Sequence, residues 1–139
     1  MLLNNFKLYV KKNRRELMVF SLIGLATSGF YLALFSFLWK QLNFDYHHAV
    51  TIAYISAIVL YFFANRYFTF RSHDKAIGTQ FKKFLLMVIF SYVVTLIIVH
   101  TTVEVFMLSA YLGTVLAILA TFVSNFIISK NWIFQRKLG

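Results

Sequence analysis

Four long apolar runs without a Lys, Arg, Asp or Glu set the pattern of the chain: Leu17–Trp39, Ala49–Ala64, Phe84–Val103 and Ser109–Ser129. At about 1.5 Å per residue in a helix, each crosses all or most of a hydrocarbon core roughly 30 Å thick. The second run is the short one, and it reaches full span with His48 and Asn65 at its two ends. Backbone polar groups in lipid must be satisfied within the segment, so the pattern predicts an all-α membrane protein with four transmembrane helices. Their spans fall near 17–39, 48–65, 84–104 and 109–129. Short connections and the lack of a Pro-, Gly- or Ser-rich linker predict a single domain over 1–139.

The cations set a topology for those spans. Lys7, Lys11, Lys12, Arg14 and Arg15 precede the first run, and Arg66, Arg71, Lys75, Lys82 and Lys83 lie between the second and third. Lys130, Arg136 and Lys137 follow the fourth, and Lys40 alone falls in the first connection. Thirteen of the fourteen Lys and Arg residues therefore share one side, which the positive-inside rule makes cytoplasmic. The expectation is N-in, C-in. A mean hydropathy of +0.74 and a 60% apolar composition agree that the solvent is mostly lipid. The net charge of +10 flanks apolar spans instead of forming one basic domain, so anionic lipids are the expected partner and nucleic acid is not. The chain has no cysteine, which excludes disulfides, thiolate metal sites and a cysteine nucleophile. Leu17–Trp39 is too long for a signal-peptide core and lacks a small-x-small cleavage site, so cleavage there is not expected.

Ahead of the first span, Phe6, Leu8, Tyr9 and Val10 alternate with Lys7, Lys11, Lys12, Arg14 and Arg15. This reads either as an amphipathic approach lying in the interface or as a frayed basic tail. A repeat is clearer. Asn65-Arg66-Tyr67-Phe68-Thr69-Phe70 closes the second run, and Ser129-Lys130-Asn131-Trp132-Ile133-Phe134 closes the fourth. Upstream, Leu17 to Ser21 and Leu86 to Ser91 share a Leu-Met-Val segment and a Phe-Ser step after a basic pair. The chain then reads as two parallel two-helix repeats, related by an axis along the membrane normal. A cation followed by aromatics at a helix end is an interface anchor, and Phe68, Phe70, Trp132 and Phe134 fit that role. Brought together, the two ends would place Arg66, Lys130, Asn65 and Asn125 at one mouth, with Arg71 and Lys83 near it. Such donors suit a phosphate headgroup carrying a sugar.

The Asn-Arg-aromatic-x-Phe ending of the second helix, together with Asn125-Phe126 and Lys130-x-Trp132-x-Phe134 in the fourth, resembles the GtrA-like family of small membrane proteins. The likeness covers essentially the whole chain, and within the family it is similar to the membrane proteins of wall teichoic acid and O-antigen glycosylation. It departs from the pattern where Ser129-Lys130 replaces Asn-Arg, and where Ser28, Gly29 and Tyr31 stand in place of the acidic residue many members carry. The resemblance implies a multi-pass protein of the bacterial cytoplasmic membrane that flips a polyprenyl-phosphate-linked monosaccharide, of the undecaprenyl type, for a separate membrane glycosyltransferase. The alternative it leaves is a non-transporting subunit that anchors or stabilises such a transferase.

Gly113, Ala117, Ala120 and Ser124 on the fourth helix, and Gly24 with Ser28 on the first, mark close helix packing or substrate contact. Tyr54, Tyr61 and Asn65 share one face of the second helix, where they either bond neighbouring helices or line a headgroup path. On the outer side, His100 and Glu104 are four residues apart and form a polar pair, either a rim contact or a proton-accepting site. His47-His48 has no accompanying ligands, so neither a metal nor another cofactor is expected. Glu16, Asp45, Asp74 and Glu104 are the only acids, too few for glycosyl transfer and none of them mid-span as cation export requires. An enzyme and a small multidrug exporter are thus both disfavoured. Four helices of this length barely enclose a polar groove, so a homo-oligomer is expected.

Overall fold

The structure, a computed structural model, describes residues 1–73 and 75–135. Asp74, Arg136 and Lys137 lie outside these. The described residues are helical with short turns and contain no strand, and four helices are long and apolar enough to cross a membrane. The chain forms two compact units, Met1–His73 and Asp74–Gly139.

The first unit begins with α1 (Leu2–Lys12) and continues into α2 (Arg14–Ser36) and α3 (Tyr46–Ala64); the second pairs α4 (Ile77–His100) with α5 (Ala110–Ile128). Each of α2 to α5 is prolonged by a five-residue π turn: Phe37–Gln41, Asn65–Thr69, Thr101–Val105 and Ser129–Ile133. The wider coil is visible in its i→i+5 bonds, where Leu42 N donates to Phe37 O (3.2 Å) and Phe106 N to Thr101 O (3.1 Å). With the π turns included, the spans become 14–41, 46–69, 77–105 and 110–133, longer than hydropathy alone suggests. Polar residues such as Asn65 and Arg66 keep the helix going because their side chains turn inward, so the second span is not short.

The end of α2 and the end of α4 lie 64 residues apart, as do both limits of α3 and α5 and of the paired π turns. The backbone follows the same rule: Asn43 and Met107, again 64 apart, both take a left-handed φ (52° and 54°) to end the helix. The register pairs Phe20 with Phe84 and Thr27 with Ser91. The upstream likeness between Leu17–Ser21 and Leu86–Ser91 is therefore out of step with the fold, a chance match between apolar runs.

Each hairpin has a thin core. In the first, Phe20 meets Tyr61 (5.9 Å between ring centroids) and Phe70 (6.1 Å) edge to face, above buried Ala49, Ala53 and Phe62. In the second, Phe84, Phe126 and Phe134 are buried with Gly113 and Ala117. Leu25, Leu86, Leu119 and many others face outward, as suits a protein whose solvent is hydrocarbon. Hydroxyls inside the spans bond their own helix: Ser21 donates to Leu17 O, Thr95 to Ser91 O and Thr121 to Ala117 O, all at 2.7–2.8 Å. No polar side chain among these needs water.

The small residues divide in function. A Cβ on Gly113 would stand 3.1 Å from Thr102 Cβ and 3.3 Å from Val99 Cα, so α4 and α5 touch there. Gly24 has nothing within 4 Å of the same position, and Ser28 is exposed, so this pair packs against nothing in its hairpin. Gly113→Val is expected to cost about 1–3 kcal/mol, because the Val99 backbone cannot give way, whereas Gly24→Ala should change stability little. Unfolding of both variants in mixed micelles checks this, and equal midpoints would refute the contact.

Candidate functional site

Each hairpin has a turn end, holding its loop, and an open end, where the chain enters and leaves. The open ends carry the duplicated motif and, among the described residues, every Lys and Arg but Lys40. A helix leaves its last four carbonyls without partners and with partial negative charge. The π turns settle some of these by main-chain bonds: Phe70 N donates to Asn65 O (3.0 Å), Ser72 N to Arg66 O (3.0 Å), and Phe134 N to Ser129 O (2.8 Å). Asn65 adds side-chain bonds, donating from Nδ2 to Tyr61 O (3.0 Å) and accepting from Thr69 Oγ1 (2.8 Å). Arg71, at φ 48°, closes this end.

Cations from the facing helix take further carbonyls. Arg15 donates to Phe68 O (2.9 Å) and Thr69 O (3.4 Å) in the first hairpin. In the second, Lys83 donates to Trp132 O (3.2 Å), with its ammonium 5.1 Å from the Trp132 ring centroid. Phe68 and Trp132 are 64 residues apart, but Arg15 matches Thr79 in that register and Lys83 matches Val19. The same carbonyl is thus neutralised from positions one helical turn apart, which a long flexible cation allows. Spacing within the sequence gives no sign of this pairing, because the two donors are not equivalent positions.

The expected headgroup residues separate accordingly. Asn65 and Arg66 are buried, at 1% and 4% exposure, and do not stand open at a mouth; the Arg66 guanidinium lies 5.7 Å from the Tyr67 ring centroid. Asn125 is not the partner of Asn65: in register it matches Tyr61, it sits inside the span, and Ser91 donates to its Oδ1 at 2.5 Å, tying α4 to α5. The partner of Asn65 is Ser129, which is buried and donates to Met87 Sδ (3.4 Å). Lys130 and Lys83 are half-buried, and Arg71 is exposed. Asn65, Arg66 and Arg71 belong to the first hairpin; Lys83, Asn125 and Lys130 belong to the second.

The four expected anchors also divide. Phe68 and Trp132 point outward, at 64% and 43% exposure, as an interface anchor should. Phe70 and Phe134 are core residues, 3% and 2% exposed, because the extra residue of each π turn brings the sixth motif position round onto the hairpin interior. Of the residues on the expected face of α3, Asn65 is inside, while Tyr54 is half-exposed and meets Tyr31 edge on (6.5 Å). Gln80, which drew no notice in the sequence, is fully buried and engaged, at the place Glu16 holds in the first hairpin.

At the turn ends, Asp45 accepts from His47 N (3.0 Å) and lies 3.5 Å from His48 Nδ1, so these residues cap α3. Ser109 caps α5 by accepting from Leu112 N (3.2 Å). His100 and Glu104 are both exposed and are not joined to each other by a hydrogen bond or ion pair. Only the first hairpin has an aromatic ladder here, in which Phe35 stacks on Trp39 (5.5 Å) and meets Tyr46 edge on (5.7 Å); the matching residues Val99, Val103 and Ala110 are aliphatic or small.

The sequence profile of the GtrA/DPMS transmembrane domain matches residues 19–134, from within α2 to the last core phenylalanine. The chain belongs to the GtrA/DPMS transmembrane-domain family. The resemblance read from the paired motif is borne out, and with it a multi-pass membrane protein. Membership points to the handling of lipid-linked sugars. No curated protein and no solved structure shows a significant match to the chain.

Proposed function

We propose that this GtrA/DPMS protein translocates a polyprenyl-phosphate-linked monosaccharide across a bacterial cytoplasmic membrane, for use in glycosylating a surface polysaccharide or teichoic acid. The observation that carries the reading is the extent of the family match, which takes in all four spans and leaves outside it only α1, the start of α2 and the last few residues. The open ends face the cytoplasm in this reading, since Lys40 is the only Lys or Arg at a turn end. The chain itself is not an enzyme here. Each hairpin would offer its own open end to a phosphate: exposed Arg71 in the first, with Asn65 and Arg66 shaping the helix end behind it, and half-buried Lys130 in the second, beside Ser129.

One observation favours a second reading, a subunit that holds a glycosyltransferase without moving lipid: Arg15 and Lys83 are already committed to helix-end carbonyls. Vesicles containing only the purified protein and a labelled lipid-linked sugar separate the two. Movement of label between leaflets, above that of protein-free vesicles, is expected. Background movement together with stabilisation of a co-expressed transferase would replace the first reading by the second.

A further inference from the structure

The amphipathic start of the chain forms a site of its own. In α1, Leu2, Leu3, Phe6, Tyr9 and Val10 follow one another at helical spacing along one face, while Asn4, Lys7 and Lys11 occupy the opposite one. The helix buries no residue, and Leu2, Leu3 and Phe6 are 86%, 75% and 58% exposed. It is joined to α2 at Asn13, which is buried and donates from its backbone N (3.0 Å) and Nδ2 (2.9 Å) to Tyr9 O, fixing the bend. Next to this bend lies an open cleft of about 510 Å³, rimmed by Lys11, Lys12, Arg14 and Arg15 and floored by apolar side chains of α2, including Met18 and Leu22.

Arg15 is committed to the carbonyls of Phe68 and Thr69, but Lys11, Lys12 and Arg14 are exposed and, among the described residues, have no hydrogen-bond, ion-pair or ring partner. Three exposed cations at the mouth of a cleft whose floor is hydrocarbon match one kind of ligand: an anion covalently attached to an apolar chain. Because α2 continues from the cleft directly into its membrane span, that floor lies at the depth where lipid headgroups give way to acyl chains. We propose that the α1–α2 cleft is a phospholipid site, in which Lys11, Lys12 and Arg14 hold the phosphate of an anionic bilayer lipid while one acyl chain runs down Met18 and Leu22, and that this lipid keeps α1 flat in the interface. The counterparts of Met18 and Leu22 in the second hairpin are Lys82 and Leu86, and no amphipathic helix precedes α4, so the site is a feature of the first hairpin alone. It is separate from sugar transport, and its test reads lipid retention and not flux.

The full chain reconstituted with phosphatidylglycerol and phosphatidylcholine, then released for native mass spectrometry, provides the test. The parent should retain phosphatidylglycerol over phosphatidylcholine, and Lys11→Gln/Lys12→Gln/Arg14→Gln should lose that preference by roughly fivefold per cation, on the order of a hundredfold in all. Lys11→Arg/Lys12→Arg should keep it. Since the chain has no cysteine, Leu3→Cys can carry a single environment-sensitive dye. Its blue-shifted emission in phosphatidylglycerol vesicles should revert towards that in water in the triple variant, while the helical circular dichroism of α2 to α5 persists. Equal phosphatidylglycerol retention by parent and triple variant would overturn the site. So would stoichiometric displacement of phosphatidylglycerol by a small admixture of polyprenyl phosphate, which would give the cleft to the sugar carrier instead.

Discussion

Phe84→Ala is expected to destabilise the second hairpin by about 2–3 kcal/mol, and Phe20→Ala to do the same in the first. Both rings are essentially inaccessible, at 1% and 2% exposure, and they hold matching places in the two cores. In a soluble protein this truncation would cost about 3–5 kcal/mol, part of it the transfer of the ring from water. Here the alternative environment is lipid, so that part largely vanishes and the cavity remains. At about 24 cal/mol per Å³ and roughly 100 Å³ of lost ring, the residue is the quoted figure. Phe90→Ala, about one and two-thirds turns away at 50% exposure, removes a ring already facing lipid and should be nearly neutral. Reversible unfolding in mixed micelles is the measurement, and indistinguishable Phe84→Ala and Phe90→Ala curves would mean that the core is elsewhere.

Hydropathy located the four spans because lipid imposes one requirement, a run of apolar residues, on every crossing segment. It understated their length for the same reason. A window that counts Asn65, Arg66 and Thr69 as polar cannot know that a π turn rotates them inward, where Asn65 and Thr69 bond each other. The duplicated motif was legible as composition but not as geometry. Phe70 and Phe134 look like the anchors Phe68 and Trp132 in sequence, and only the widened turn tells core from surface. Asn125 was grouped with Asn65 by residue type, whereas the register pairs Asn65 with Ser129. In the sequence Arg15 is a topology signal and part of the basic approach to the first span, and Lys83 a topology signal and a headgroup donor. Their further task, closing the carbonyl ends of α3 and α5, depends on which helices pair, and that information is tertiary.

Lys130→Ala is expected to lower the flux of a labelled polyprenyl-phosphate-linked sugar by roughly tenfold to a hundredfold, the worth of one charge-assisted hydrogen bond to a phosphate. Its stability should fall by about 1–2 kcal/mol, since the helix dipole contributes up to about 1 kcal/mol for a cation in the last turn and Lys130 is itself engaged. Lys130→Arg should restore most of the flux, because the charge remains and a guanidinium forks readily onto phosphate oxygens. Arg66, the matching residue of the first hairpin, should behave differently. With 4% of its surface exposed, Arg66 supports the end of α3, so Arg66→Ala should lose stability and flux together, and Arg66→Lys should recover stability only in part. Plotting flux against unfolding midpoint for the four variants separates the two roles: Arg66 variants fall along a common line, and Lys130→Ala falls far below it. Parent-level flux from Lys130→Ala, at equal amounts of reconstituted protein, would remove Lys130 from the headgroup site.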